Sequence, residues 1–186
     1  NENPAATHRR WDRTLGGLEL DTVEGIAVDA EGNVHVTGYI QGEVDLGGGP
    51  RRSAGGRDLF VASYGPDGAH RWDRVLGGVQ DDGGLDVAVD GEGGVVVVGY
   101  FQGSLDLGGG IRRAESLDGF VVSFGPDGSY RWDRAFGGDG VDVAEAVAVD
   151  PSGNVAITGH FVGSVNLGDG ARYAAGSSDL FVASYG

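Results

Sequence analysis

One eight-residue phrase occurs three times in this sequence and constrains the fold more than any other feature. It reads RWDRTLGG from Arg10, RWDRVLGG from Arg71 and RWDRAFGG from Arg131. The tryptophans are spaced by 72 − 11 = 61 and 132 − 72 = 60 residues. A constant spacing of this size is the signature of a repeat architecture. The sequence therefore predicts one repeat domain over residues 1–186, with repeats at about 10–70, 71–130 and 131–186.

Each repeat contains four short segments rich in β-branched and aromatic residues. In the first repeat they cover residues 8–15, 25–29, 34–39 and 58–64. Gly-Pro-Asp-Gly at 65–68 has strong turn chemistry. Residues 95–98 are four consecutive valines, which suits a strand covered on both faces. Four-stranded sheets packed face to face around an axis are β-propeller blades, so the predicted fold class is all-β.

A glycine-rich connection separates the third and fourth segments of each repeat. It is predicted as a long loop over residues 41–57 in the first repeat. The apolar residues at 44–46, 105–107 and 165–167 in these connections either form a small extra hairpin or pack against the blade.

Composition excludes several classes of protein. The net charge is −15, from 28 acidic and 13 basic residues, which argues against nucleic acid and anionic membrane surfaces as partners. Without cysteine the chain has no disulfide, thiol nucleophile or cysteine zinc site. No apolar run is long enough for a membrane span. The chain begins with Asn1, so removal of a preceding segment and a secreted or cell-surface location are expected.

Three phrases carry a resemblance to a known family. GIAVDAEGNVHVTGY at 25–39, DLFVASYGPDG at 58–68 and RWDRVLGG at 71–78 resemble the bacterial beta-propeller repeat family SBBP, and the layout is similar to NHL-type blades. The resemblance implies an inner strand A at 25–29, then B, C and an outer strand D at RWDR. The strand order along the chain would then be D-(ABCD)-(ABCD)-ABC. The family is mostly uncharacterised, so the resemblance implies a fold and no activity, and the connection at 42–57 is longer than the family pattern.

Three blades are too few for a closed ring, since propellers have about 4–8 blades. The first outer strand lacks a blade and the last blade lacks an outer strand. We therefore expect two chains to form a six-bladed ring by exchanging terminal strands with two-fold symmetry. Head-to-tail donation would instead give a filament, and the chain is alternatively a natural or engineered piece of a longer propeller.

Acidic residues recur in the loop between strands D and A, on the face that also carries the B-to-C connections. A carboxylate lies ten residues after each tryptophan, at Asp21, Asp82 and Asp142. A ring of carboxylates suits a hard cation such as Ca²⁺, which is the one cofactor that the sequence suggests. The spacing matches neither an EF-hand nor an RTX repeat, and loop carboxylates that cap backbone N–H groups or face water are the alternative.

Basic and aromatic residues supply the other candidate sites. Arginines of the B-to-C connections would recognise an acidic or sugar ligand, or neutralise the acidic loops: Arg51, Arg52, Arg112, Arg113 and Arg172. The tryptophans are predicted to pack between blades, with sugar stacking as the alternative: Trp11, Trp72 and Trp132.

Catalysis is poorly supported. The four histidines share no repeat position, and Ser63, Ser123 and Ser184 lack the GxSxG elbow. The sequence predicts a non-enzymatic binding or scaffold module that forms homo-oligomers and binds a glycan or protein ligand, with no membrane insertion. The alternatives are a filament subunit and a glycan-active enzyme.

Overall fold

A computed structural model describes residues 9–186, which form antiparallel β-sheet without helix. The first sheet contains β1 (Thr22–Val28), β2 (Val34–Asp45), β3 (Pro50–Tyr64) and β4 (His70–Leu76), in that spatial order. The second contains β5 (Gly83–Val89), β6 (Val95–Asp106), β7 (Ile111–Phe124) and β8 (Tyr130–Phe136), again in order. These are the predicted four-stranded blades, called here the first and second blade.

The third blade is a three-stranded sheet. It contains β9 (Asp142–Val149), β10 (Val155–Phe161) and β13 (Asp179–Tyr185), with β10 in the middle. A separate hairpin, β11 (Ser164–Asn166) with β12 (Ala171–Tyr173), lies between β10 and β13 in the chain. No described residue pairs with the outer edge of β13.

The blades stack face to face through two apolar layers. Inner strand β1 neighbours β5, and β5 neighbours β9. Between the first two blades, Leu59, Val61 and Trp72 pack against Val97 and Phe124. Between the second and third blades, a corresponding layer contains Val96, Val98, Val121, Ile157 and Phe181. The all-β, four-stranded prediction is confirmed, and the three sheets do not close into a ring.

The B-to-C connections differ from the predicted loops. In the first two blades the central strands continue through them as long hairpins that end at Asp45–Pro50 and Asp106–Ile111. Gly42 lies at a register shift with φ of 72°, which a side chain would strain. At the hairpin tip, Asp45 accepts N–H bonds from Gly47 and Gly49, so this carboxylate holds the glycine turn in place.

The predicted strand at residues 8–15 is not formed over its described part, residues 9–15. His8 lies outside the described residues. The equivalent segments, β4 and β8, pair with a C strand of their own blade, and residues 9–15 have no such neighbour here. A strand needs a partner for its ladder of hydrogen bonds, which explains the difference.

The described part of the chain contains no helix that is long and apolar enough to cross a membrane.

Candidate functional sites at the blade junctions

The loop aspartates, Asp21, Asp82 and Asp142, bind backbone amides. In the second blade, Asp82 Oδ2 accepts the Gly78 N–H at 2.7 Å and Oδ1 accepts the Gln102 N–H at 3.2 Å. Asp21 makes the same two contacts in the first blade, with Gly17 and Gln41. Each carboxylate therefore ties the D-to-A loop to strand B.

The third loop aspartate is less completely bonded. Asp142 Oδ2 accepts the Gly138 N–H at 2.9 Å, and its buried Oδ1 has no partner. Within residues 9–186, no group of three or more acidic or histidine side chains is arranged to hold a metal ion. The calcium site stays a prediction, and measuring mass and melting temperature with and without chelator is its direct test.

A second row of carboxylates, at the start of strand C, faces the loop aspartates of the next blade. Asp58 and Asp118 are buried, and each has an Oδ1 without a hydrogen-bond partner. Asp58 caps the Ala54 N–H at 2.8 Å, and its charge also acts on Asp82 across the blade junction, an interaction that the sequence did not predict. A carboxylate at the same position of every repeat, Asp58, Asp118 and Asp179, was the available signal.

Burial, with smaller effects from nearby carboxylates, raises the pKa of these carboxyls. Burial, with Asp58 and Asp81 nearby, raises the pKa of Asp82 to about 7. Burial, then the charges of Asp142 and Glu115, raises the pKa of Asp118 to about 7. Burial also raises the pKa of Asp142 to about 6. The blade junctions therefore take up protons within the neutral range.

Each tryptophan of the repeated phrase lies against the blade that follows it. Trp72 donates its Nε1–H to the Pro126 carbonyl oxygen at 2.9 Å, and its ring covers Gly128. A Cβ at Gly128 would lie 2.7 Å from that ring, and φ there is 77°. Glycine is therefore required both for the space beside the ring and for the left-handed backbone. Trp11 covers Gly68 in the same way. Trp72 thus fastens the first blade to the second, and Trp11 fastens residues 9–15 to the first blade.

Trp132 also packs against apolar residues of the third blade, and it lines an open hollow. It borders a cavity of about 300 Å³ with Gly153, Val155, Tyr185 and Gly186. In the second blade, the turn after strand C, Gly125–Gly128, fills the corresponding space beside Trp72.

The predicted ligand-face arginines do not form one cluster of free cations. Arg51 pairs with the buried Asp73, and Arg112 pairs with Asp133 at 2.6 Å. Arg172 pairs with Asp169 at 2.9 Å on the exposed hairpin of the third blade. Arg113 donates to Ser104 Oγ at 3.1 Å, and Arg52 is exposed. Arg51 and Arg112 therefore tie the B-to-C hairpins to strand D of their own blades.

The histidines described by the structure lie apart from one another. His35 contacts Asp29 at 3.3 Å, His70 contacts Asp73 at 2.8 Å and His160 contacts Glu145 at 3.0 Å. Each has a single carboxylate partner, and the hydrogen bonds of these imidazoles include no serine hydroxyl. Among residues 9–186, this geometry offers no Ser-His-Asp arrangement.

Apolar side chains are exposed at both ends of the blade stack. On β13, Leu180 is 78% exposed, whereas the equivalent Leu59 is fully buried. On β1, Ile26 is 66% exposed, whereas the equivalent Val87 is 4% exposed. The covered positions are those that have a neighbouring blade.

Comparison with known families agrees with this geometry for one segment. Residues 15–43, which span the first D-to-A loop and strands A and B, match the family SBBP. This segment is a beta-propeller repeat. The family resemblance seen in the sequence is thereby confirmed, and the beta-propeller repeat contains Asp21, one of the three loop aspartates.

A relative extends the similarity over the rest of the chain. An uncharacterized WD repeat-containing protein of Acanthamoeba polyphaga mimivirus is 25% identical over 214 aligned positions. The match covers 94% of this chain and 15% of the relative, so the chain spans about a seventh of the relative's length.

Proposed function

We propose that this chain is a non-enzymatic binding or scaffold module that assembles by donating its first outer strand to the third blade of a second copy. The beta-propeller repeat and the WD repeat-containing relative support a scaffold rather than an enzyme. One observation carries the assembly: residues 9–15 lie against the first blade as an outer strand would, while the third blade has a free edge among the described residues.

The position of residues 9–15 repeats that of an outer strand. The Trp11 and Tyr64 ring centroids are 6.3 Å apart, the same separation as between Trp72 and Phe124. Arg13 lies over the Tyr64 ring at 5.4 Å, as Arg134 lies over Tyr185 at 5.1 Å. The segment is thus held where the D strand of a preceding blade would be, ready to pair with a C strand.

The two complete blades give the register of that pairing. In both, the tryptophan of strand D faces the serine of strand C, Ser63↔Trp72 and Ser123↔Trp132. Two residues further on, Val61 faces Arg74 and Val121 faces Arg134. By equivalence, Ala183 of one copy is expected opposite Asp12 of the other, as Ala62 is opposite Asp73.

Energetics favour a closed dimer over a filament. Each new junction would bury four exposed apolar side chains, and each contributes about 1.5–3 kcal/mol to association. They are Leu180 and Val182 of one copy and Ile26 and Val28 of the other. Association costs about 4–15 kcal/mol in lost translational and rotational freedom. A closed pair forms two junctions for one association, whereas each step of a filament forms one. The proposed product is therefore a six-bladed ring.

A cysteine pair tests the exchange directly, because the natural sequence contains no cysteine. The variant Asp12→Cys/Ala183→Cys is oxidised under mild conditions and examined on denaturing gels. A disulfide-linked dimer is the expected product. Asp12→Cys combined with Ser152→Cys, on the opposite A-to-B turn, is the control and should stay unlinked.

Other products of this cross-linking experiment would contradict the six-bladed ring in different ways. A ladder of linked species would replace the ring with the filament. An intrachain disulfide, or no disulfide, would overturn strand exchange. Light scattering on the unmodified chain provides the independent measure, with twice 19.0 kDa expected over a dilution series.

A further inference from the structure

A polar cavity of about 490 Å³ lies between the second and third blades. It is lined by side chains from strands C and D of the second blade and from the third blade, including Arg112, Arg113, Asp118, Arg134, Asn166 and Tyr185. Its size falls in the range of small-molecule sites, about 300–1,000 Å³. It lies within one chain, so it exists whether or not chains assemble.

Two of its arginines have no carboxylate partner among the described residues. Arg112 is neutralised by Asp133 at 2.6 Å. Arg134 instead stacks on Tyr185, and Arg113 donates only to Ser104 Oγ. Two guanidinium groups are thus left uncompensated beside one cavity, in a chain whose net charge is −15. An uncompensated guanidinium fork matches the geometry of a carboxylate.

The acid in the cavity is poised between its charged and neutral forms. Burial, followed by the charges of Asp142 and Glu115, raises the pKa of Asp118 to about 7. Arg113, Glu115 and Asp139 line an adjoining hollow that also includes Asp118. Asp139 accepts a hydrogen bond from Ser164 at 3.0 Å. Below neutral pH the cavity is therefore more positive than the adjoining hollow, which carries Glu115 and Asp139.

The first blade junction provides an internal comparison. Its equivalents of Asn166 and Tyr185 are Asp106 and Phe124. Asp106 Oδ1 caps the N–H groups of Gly108 and Gly110, and Asn166 Oδ1 caps Gly168 and Gly170 in the same way. The asparagine therefore keeps the structural contacts of the hairpin tip while removing one negative charge from the cavity. Hairpin structure alone does not require that change.

We infer that this cavity binds a small polyhydroxylated anion of the hexuronate class, with the carboxylate at Arg113 and Arg134. The lining is mostly polar, which suits a sugar ring better than an apolar ligand. The inference rests on the proposed function in one respect: it gives the binding module a ligand class on the face of the B-to-C hairpins.

Titration with galacturonate, observed by NMR at pH 6, tests the site, with galactose as the uncharged probe and inorganic sulfate as the anion without a sugar ring. Galacturonate is expected to shift resonances of the second junction and to bind at least about tenfold more tightly than either. Arg134→Gln and Asn166→Asp should each weaken that binding about tenfold, the effect of about 1.4 kcal/mol. Binding should also weaken at pH 8, as Asp118 loses its proton.

Matched variants at the first junction are the controls. Arg74→Gln and Asp106→Asn change the equivalent positions and should leave galacturonate affinity unchanged. Equal loss in Arg74→Gln and Arg134→Gln, or equal binding of galactose, would overturn the inference. Sulfate binding as tight as galacturonate would overturn the assignment to a sugar acid. Mass measured on the same samples separates the two proposals, because a monomer that binds galacturonate fails only the assembly proposal.

Discussion

At the scale of single residues, equivalent positions of the three repeats carry different chemistry on the same backbone. His35 in the first blade corresponds to Val96 and Ala156 in the others. It is buried, with Nε2 3.3 Å from Asp29 and no partner for Nδ1. Since the second blade fills this position with valine, the fold does not require an imidazole there.

We predict that His35→Val stabilises the protein in acid. Burial lowers the pKa of His35 below 6.5, although Asp29 opposes that shift. The unfolded chain therefore gains a proton that the folded chain resists, and stability is lost as pH falls through 6.5. The variant should be more stable than wild type at pH 5, with a smaller difference at pH 7, measured by urea unfolding at one protein concentration. His160→Val, at a partly exposed imidazole, is the control, and an equal gain there would contradict the prediction.

We predict the opposite pH dependence for Asp118. Its folded pKa is raised to about 7, so between about pH 4 and 7 the folded chain holds a proton that the unfolded chain has lost. Stability from this group therefore falls as pH rises through that window. Asp118→Asn should stabilise the protein by on the order of 1–3 kcal/mol at pH 8 and have little effect at pH 4.

The third blade supplies the control for that variant. Asp179 is the equivalent residue, is partly exposed and has no following blade among the described residues. Asp179→Asn should show no comparable gain in urea unfolding at pH 8. A pH-independent effect of Asp118→Asn would show that charge is not the cause.

At the scale of elements, the turn between strands C and D acts as a socket for the tryptophan of the preceding blade. Gly128 allows both the left-handed backbone and the close approach of the Trp72 ring. Trp72 of strand D donates to Pro126 of this turn, so the contact joins residues 54 positions apart in the sequence. This contact therefore holds the first blade against the second.

We predict that Gly128→Ala destabilises the protein more than Gly153→Ala. Both glycines have positive φ, 77° and 86°, so each variant carries the same backbone penalty of about 1 kcal/mol. Only the Cβ at position 128 meets the Trp72 ring, while nothing lies within 4 Å at position 153. The difference in melting temperature isolates the ring contact. Equal losses would mean that the ring adapts without cost.

At the scale of the whole molecule, the ends of the blade stack determine the assembly. Val182 is 73% exposed on β13, although Val61 and Val121 at the same position are fully buried. Val182→Lys should therefore leave the folded chain intact and block the new junction, because lysine would be buried against the partner. Light scattering should report 19.0 kDa for this variant.

Ile111→Lys is the matched control for that prediction. Ile111 is also an exposed apolar strand residue, but it lies at the tip of a B-to-C hairpin. This variant should keep the mass of the unmodified chain. Loss of assembly in both variants would point to general solubility, and retention in Val182→Lys would exclude β13 as the receiving edge.

Much of the fold could be predicted because the same pattern of turn residues and β-branched runs occurs in all three repeats. Turn residues and β-branched runs gave the inner and central strands of each blade. A small extra hairpin beyond Gly42 was one of two alternatives, but its continuity with strands B and C was not predicted, because glycine-rich sequence is typical of loops and only pairing with a neighbouring strand reveals the ladder. The charge interaction of Asp118 with Asp142 was missed for a similar reason, since it joins different blades.

The sequence DLFVASY occurs twice, at residues 58–64 and 179–185. Both copies form the third strand of a blade, β3 and β13, so local sequence by itself determined the strand, its direction and its pairing with strand B. Leu59 is nevertheless fully buried and Leu180 is 78% exposed. Only the tertiary structure decided that difference, because hydrophobic burial depends on whether another blade covers the face.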